Sequence, residues 1–320
     1  MSVINEGRQM PSYPRPAKSR YAVLRKGILR HWQLYLLVLL PLVYVVLFSY
    51  VPMYGIVIAF KDYKISQSIM ESPWVGMKHF KSFFTSYQLT RLLGNTIGLS
   101  LYSIIVGIFP PIILAVSLNY CSNKFVGKTV QMITYMPYFI STVLVVGMIN
   151  QILSLNGPVN TVLKMMGKKA LLFLGEPKYF KTIYVFSGIW ASNGYNAVIY
   201  LAALSSINPE LYEAAIVDGA SVVRRIWHID IPSIMPTAII LLIMACGRLL
   251  SVGHEKVLLL QNDLNISTSD VISTYVYRIG LVSMQYSFST AVGLFQSFVS
   301  LIMLTFVNSL ARRFSETSLF

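Results

Sequence analysis

The chain has 320 residues, of which 55% are hydrophobic and only 12% are charged. A soluble domain carries about twice that share of charged residues, so the composition excludes a soluble fold and predicts a protein that crosses a membrane several times. The formal net charge is +14. Because the basic residues lie in loops and near the N-terminus, they indicate membrane topology and anionic lipid, and no nucleic-acid partner.

Residues 1–31 form a polar, basic segment in which Glu6 is the only acidic residue. Positive charge before a first span favours the cytoplasmic side, so we expect the N-terminus in the cytoplasm. Tyr21, Leu24 and Ile28 recur at helical spacing, and two interpretations stay open: a helix lying on the membrane surface or a disordered basic tail. We see no cleavage-site pattern and expect no removable signal peptide.

We predict the first three membrane spans at 32–60, 92–119 and 129–153. Their cores are nearly uncharged and long enough to cross about 30 Å of hydrocarbon. Segment 60–91 is then an outer loop rich in aromatic residues, and 119–128 is a short cytoplasmic turn. Pro110 and Pro111 lie inside the second span, where lipid tolerates the resulting bend only against other helices.

We predict three further spans at 182–204, 237–251 and 287–310. The fifth is short, and its end lies between Ser251 and Leu260. Segments 156–181 and 262–285 are outer connections, and 205–233 is a cytoplasmic loop. The tail 311–320 contains Arg312 and Arg313, and we expect it in the cytoplasm. The fold class is therefore an all-α membrane protein with six transmembrane helices in one domain, residues 32–310.

The loop between the fourth and fifth spans contains the most informative local pattern. Asn208 is a good N-cap, and Pro209 suits the first position of a helix. Gly219 is placed to end that helix in a left-handed conformation, and Ser221 is placed to cap a second helix that Pro232 limits. We predict two short helices with a bend between them, outside the bilayer.

This loop resembles the EAA loop of type I ABC importer permeases. The resemblance is carried by Glu213-Ala214-Ala215, a glycine six residues after the glutamate, and Ile229-x-Ile-Pro232. It implies a permease core whose cytoplasmic coupling helix docks into a groove of an ATPase subunit. The implied coupling residues are Glu213, Ala214, Ala215, Asp218 and Gly219. A capped helical hairpin with no partner is the alternative.

A second phrase, Pro52-Met-Tyr-Gly-Ile-Val-Ile-Ala-Phe-Lys-Asp62, resembles the LplB-like branch of these permeases, which import complex oligosaccharides. The maltose-type and alginate importer permeases are similar. The resemblance implies four kinds of partner: a second, related permease, two ATPase subunits, an extracytoplasmic solute-binding protein and an oligosaccharide. It also implies a bacterial inner membrane with both termini cytoplasmic. This chain would hold no cofactor and would not be catalytic, since ATP and Mg²⁺ belong to the ATPases.

Candidate pathway residues lie in the fourth and fifth spans. A charge at bilayer depth costs about 2.5 to 3.5 kcal/mol on insertion scales, so Arg248 should face protein or a water-filled cavity. It either contacts substrate, such as the carboxylate of an acidic sugar, or is a helix-end arginine that snorkels or pairs with Glu255 or a backbone carbonyl. The fourth span offers polar and aromatic groups for a sugar, although helix packing explains them equally. These candidates are Trp190, Ser192, Asn193, Tyr195 and Asn196.

We see no catalytic constellation, and neither the two cysteines nor the four histidines have metal-ligand spacing. The favoured function is a permease subunit of an ABC importer for oligosaccharides or polysaccharide fragments. Acidic substrates are favoured by Arg248 and the basic outer loops, although lipid contact explains the loops as well. An ion-coupled secondary transporter is the alternative, but it calls for inverted repeats and acidic residues within the spans, and we find neither.

Overall fold

A computed structural model describes residues 30–314 of the chain. The predicted N-terminal surface helix and the end of the C-terminal tail lie outside these residues. The chain divides into two units, 1–55 and 56–320. In the first unit, helix α1 (Trp32–Val45) continues as a π-helical turn, Val46–Tyr50. A 3-10 segment, Val51–Phe60, follows it and includes the boundary between the units.

The second unit is built of helices, and the described residues contain no β-strand apart from one isolated bridge between Lys61 and Trp74. Its helices are α2 (Lys78–Phe84), α3 (Leu89–Asn119), α4 (Lys124–Tyr135), α5 (Thr142–Leu153), α6 (Pro158–Met165), α7 (Pro177–Ser205), α8 (Pro209–Val217), α9 (Val222–Arg225), α10 (Ile231–Gly247), α11 (His254–Leu260), α12 (Ile266–Ser269), α13 (Ile272–Tyr277) and α14 (Tyr286–Phe314).

Several of these helices can cross a membrane. In the described part of the chain, five helical stretches are long and apolar enough: Trp32–Phe60, Leu89–Asn119, Thr142–Met165, Val222–Gly247 and Tyr286–Arg313. Helix α7 has 29 residues, which is sufficient length for a sixth span. Helix α7 is more polar than those five stretches because one of its faces carries the amide and hydroxyl groups described below.

The predicted third span, 129–153, is wrong as one continuous helix. Helix α4 passes into a short 3-10 turn at Met136–Phe139, and Ile140 then adopts an extended conformation. Pro137 lies at the start of that turn, where it cannot supply an N–H to a regular helix. The Ser141 hydroxyl accepts a hydrogen bond from the Leu144 amide and starts α5 afresh.

The prediction that Pro232 limits a second short helix is also wrong. Helix α9 continues through a π-helical turn, Ile226–Asp230, directly into α10, so one helical stretch runs from Val222 to Gly247. A π turn accommodates an extra residue within a helix. Pro232 comes two residues after the end of this π turn, so the widened backbone accommodates a proline without ending the helix. The fifth span therefore begins within the predicted loop and ends before Ser251.

Helix α7 is central to the packing of the second unit. Its buried residues Ala197, Tyr200 and Leu204 form a cluster with α3 and Ile234 of α10. A Cβ atom at Gly194 would lie only 2.1 Å from the carbonyl oxygen of Thr134 on α4. Only glycine allows this approach, which is the kind of close contact that small residues give to helices in membranes. Helix α7 is thereby fixed between its neighbours.

Candidate functional site

A cavity of about 540 Å³ lies between α3, α7, α10 and the segment containing α11. That volume falls in the range of about 300 to 1,000 Å³ that is typical of small-ligand sites. Apolar side chains of α3 and α10 form much of the wall. The residues with polar side chains in the lining are Ser103, Tyr184, Ser192, Asn193, Asn196, Tyr200, Arg248 and Lys256, and the lining contains no carboxylate.

Helix α7 supplies the amide groups of the cavity. Ser192, Asn193 and Asn196 share one face because residues three to four apart are neighbours on a helix. The Ser192 hydroxyl donates to the Gly188 carbonyl oxygen at 2.9 Å. Asn193 differs, since its buried Oδ1 atom has no hydrogen-bond partner in the described structure. An unpartnered buried amide oxygen is costly, and the residue that carries it belongs to the lining of the cavity.

Arg248 lies at the C-cap of α10, where the helix ends. Its side chain lines the cavity and is exposed. Within residues 30–314 no ion pair joins it to Glu255, which excludes one of the structural alternatives for this arginine. An exposed arginine at a helix end also fits a side chain that snorkels.

Lys256 is a second cation in the cavity, and the sequence interpretation missed it. Its Nζ atom donates to the Tyr184 carbonyl oxygen at 2.8 Å and lies 4.7 Å from the centroid of the Tyr184 ring. Gly188 leaves room for it, because a Cβ atom there would lie 3.1 Å from Nζ. A lysine within the apolar run of α11 was the available signal, since such charges are rarely placed in membrane segments without a function.

The two aromatic candidates of the fourth span lie outside this cavity lining. Trp190 is 52% exposed, and the ring of Tyr195 stacks on that of Tyr138 with centroids 3.9 Å apart. The structure thus places the polar residues of the predicted patch on the cavity and the two aromatic residues outside its lining. The Tyr195 contact is one of helix packing.

The loop with the EAA pattern has the predicted local structure up to its second helix. Asn208 caps α8 by accepting a hydrogen bond from the Glu210 amide. Gly219 has φ +71°, and the Ala220 amide donates to the Ala215 carbonyl oxygen at 2.8 Å, which is a glycine-dependent C-terminal cap. The Ser221 hydroxyl accepts from the Arg224 amide. The capping predictions are confirmed.

Helix α8 is an exposed helix with an apolar surface. Glu213, Ala214, Asp218 and Gly219 are exposed, and Ala215 is half-buried. Apolar side chains on the same short helix are also exposed: Leu211 (53%), Ile216 (56%) and Val217 (86%). Contiguous exposed apolar groups with charged neighbours are typical of a protein interaction site.

Comparison with known proteins identifies the class of this molecule. Residues 107–316 match the family model described as binding-protein-dependent transport system inner membrane component. The chain belongs to this family. It is 38% identical to Protein LplB of Bacillus subtilis (strain 168) over 288 residues, which is 90% of this chain and 91% of the relative.

A second relative is the polygalacturonan/rhamnogalacturonan transport system permease protein YteP of Bacillus subtilis (strain 168). It is 40% identical over 288 residues, or 90% of each chain. A crystal structure of a bacterial alginate ABC transporter, in complex with an alginate pentasaccharide-bound periplasmic protein, superimposes with a TM-score of 0.84. That comparison has 40% identity and covers 92% of this chain and 99% of the other. The chain is thus a type I ABC importer permease with an all-α membrane fold.

Proposed function

We propose that this permease imports oligosaccharides derived from acidic polysaccharides, and that the substrate passes through the cavity between α3, α7, α10 and α11. The observation that carries the proposal is the charge of the cavity: it contains Arg248 and Lys256 and no carboxylate in its lining. Two cations without a protein counter-ion favour an anionic ligand, and arginine binds carboxylates with two parallel hydrogen bonds.

The amide groups of α7 complete the chemistry that a uronic-acid oligosaccharide calls for. Its hydroxyl groups need donors and acceptors, which Ser192, Asn193 and Asn196 supply. Its ring faces need apolar surface, which the walls formed by α3 and α10 supply. The YteP relative is named for polygalacturonan and rhamnogalacturonan, and a solved bacterial ABC transporter of the same fold is described as importing the acidic polysaccharide alginate. Both support the same substrate class here.

Helix α8 serves as the coupling helix in this proposal. Glu213 pairs with a basic residue of an ATPase subunit, Ala214 and Ala215 allow close approach, and Asp218 and Gly219 form the bend. The complex contains a second, related permease, two ATPases and an extracytoplasmic binding protein. Energy comes from ATP and Mg²⁺ held by the ATPases, and this chain is not catalytic. Both termini and α8 lie on the cytoplasmic side of the bacterial inner membrane.

Uptake by the complete complex in proteoliposomes tests the substrate proposal. Labelled oligogalacturonides are compared with neutral oligosaccharides of the same length, for the wild type, Arg248→Met and Lys256→Met. Loss of a hydrogen bond to a charged group costs about 1.5 to 3 kcal/mol, so each variant should lose at least about tenfold in uptake of the acidic substrate. Uptake of any transported neutral substrate should change much less.

Lys78→Met is the matched control, since it removes the same charge from an exposed outer helix where Lys78 pairs with Asp62. Lys78→Met should leave the uptake of acidic and of neutral oligosaccharides unchanged. Equal loss of acidic and neutral uptake in the cavity variants would assign the two cations to folding and would contradict the acidic substrate class.

A further inference from the structure

A buried carboxylate lies at the junction between the coupling loop and the fifth span. Asp230 ends the π-helical turn that leads into α10, and its side chain is fully buried. Its Oδ1 atom accepts a hydrogen bond of 2.5 Å from the hydroxyl of Tyr212. Tyr212 belongs to α8 and immediately precedes Glu213. The bond therefore joins the proposed coupling helix to the base of a membrane span, 18 residues further along the chain.

Three separate segments meet at this carboxylate. Besides Tyr212, Tyr120 follows the end of α3, and its burial together with the nearby Asp230 carboxylate raises the pKa of Tyr120 to about 12. Among the described residues, the Tyr120 hydroxyl and the Asp230 Oδ2 atom have no hydrogen-bond partner. Burial and the same carboxylate raise the pKa of Tyr212. A tyrosine hydroxyl, whose ordinary pKa is about 10, is a hydrogen-bond donor at physiological pH. The Arg225 guanidinium lies 5.6 Å from the ring centroid of Tyr120 and completes the cluster.

The rest of α8 is weakly held to the membrane domain. None of its side chains is buried. The Asn208 cap precedes the helix, and Gly219, with its φ of +71°, follows it. By contrast, Tyr120, Ile226 and Ile231 pack against the buried cluster of α3, α7 and α10. A hydrogen bond from a hydroxyl to a buried carboxylate is strong and directional because little water competes for it. It is thus suited to hold α8 at a fixed position relative to α10.

We propose that the Tyr212–Asp230 hydrogen bond is the joint through which movement of α8 is transmitted to the fifth span, with Tyr212 acting as a positioning residue for coupled transport. The inference depends on the proposed coupling role of α8. Since Arg248 lies at the opposite end of α10 from Asp230, displacement of α10 at this joint shifts the cavity cation as well. The joint connects the surface that meets the ATPase to the wall of the cavity.

The test measures import and ATP hydrolysis in the same proteoliposomes containing the complete complex. Tyr212→Phe keeps the ring and removes the donor. We expect import per ATP hydrolysed to fall about tenfold, while co-purification of the ATPase and its basal hydrolysis are retained. Asp230→Asn keeps an acceptor for the Tyr212 hydroxyl and should lose less than Asp230→Leu. Tyr102→Phe removes a hydroxyl from a tyrosine packed in another cluster and should behave as wild type.

A double variant separates the joint from a general effect on folding. If Tyr212 acts through Asp230, Tyr212→Phe added to Asp230→Leu should cause no further loss. Multiplicative losses, or wild-type import per ATP in Tyr212→Phe, would overturn the proposal, as would loss of ATPase co-purification in parallel with import. Failure of the proposed function is distinguishable, because then the wild-type chain itself would capture no ATPase.

Discussion

The coupling loop and the cavity differ in how the sequence encodes them. The loop is contiguous: its caps and its bend come from residues within 25 positions, and each acts on backbone groups two to five residues away. The cavity is assembled from α3, α7, α10 and α11, which are far apart in the chain. The loop can therefore be disabled by single local changes, whereas the cavity should lose specificity in steps as individual groups are removed.

The largest expected effect is at the exposed acidic residue of the loop. Glu213→Lys reverses the charge that is proposed to face a basic residue of the ATPase, and we expect import to fall below detection while membrane insertion stays normal. Glu210→Gln is the matched control because Glu210 lies in the first turn of the same helix. Wild-type import by Glu213→Lys would show that coupling does not use this surface.

Gly219 offers the next largest effect, through the backbone alone. Its φ of +71° is unfavourable for a β-branched residue, while no atom lies within 4 Å of an added Cβ. A left-handed conformation costs a non-glycine residue about 1 to 2 kcal/mol. Gly219→Val should strongly reduce import, whereas Gly219→Asn should retain most of it because asparagine tolerates this conformation. Similar import by both variants would show that the left-handed conformation at residue 219 is not needed for coupling.

In the cavity, a moderate effect is expected at Asn193. Asn193→Leu replaces an unpartnered amide by an apolar group of similar size, so the fold should be retained. We expect a rise in the substrate concentration for half-maximal uptake of about fivefold or more, corresponding to one lost hydrogen bond of about 1 kcal/mol. Tyr195→Phe is the control, because Tyr195 lies on α7 outside the cavity lining. An unchanged concentration dependence in Asn193→Leu would place the substrate elsewhere.

The smallest effect is one of stability. Ser221→Ala removes the cap at the start of α9, which costs about 1 kcal/mol. Thermal unfolding of the purified complex should shift down by a few degrees, and import at 25 °C should persist. Loss of import without a thermal shift would mean that Ser221 acts in coupling and not only as a cap.

Features set by neighbouring residues could be predicted from the sequence, and features set by tertiary packing could not. Capping by Asn208 and Ser221 and the left-handed Gly219 were predictable because each depends on the residue and its nearest backbone neighbours. The π-helical turn before Pro232 was not, since it depends on how α10 packs. Lys256 and the Tyr212–Asp230 bond were missed for a related reason: tertiary contacts bring them to their partners, and spacing along the chain does not show this.

In the proposed function, α8 faces the cytoplasm and contacts an ATPase subunit. The most direct measurement uses Val217→Cys, in a background where Cys121 and Cys246 are replaced by serine, because Val217 is 86% exposed. A membrane-impermeant maleimide should label inside-out vesicles lacking the ATPase, fail to label intact spheroplasts, and label poorly once the ATPase is bound. Labelling from the outside, or labelling that the ATPase does not protect, would contradict the account.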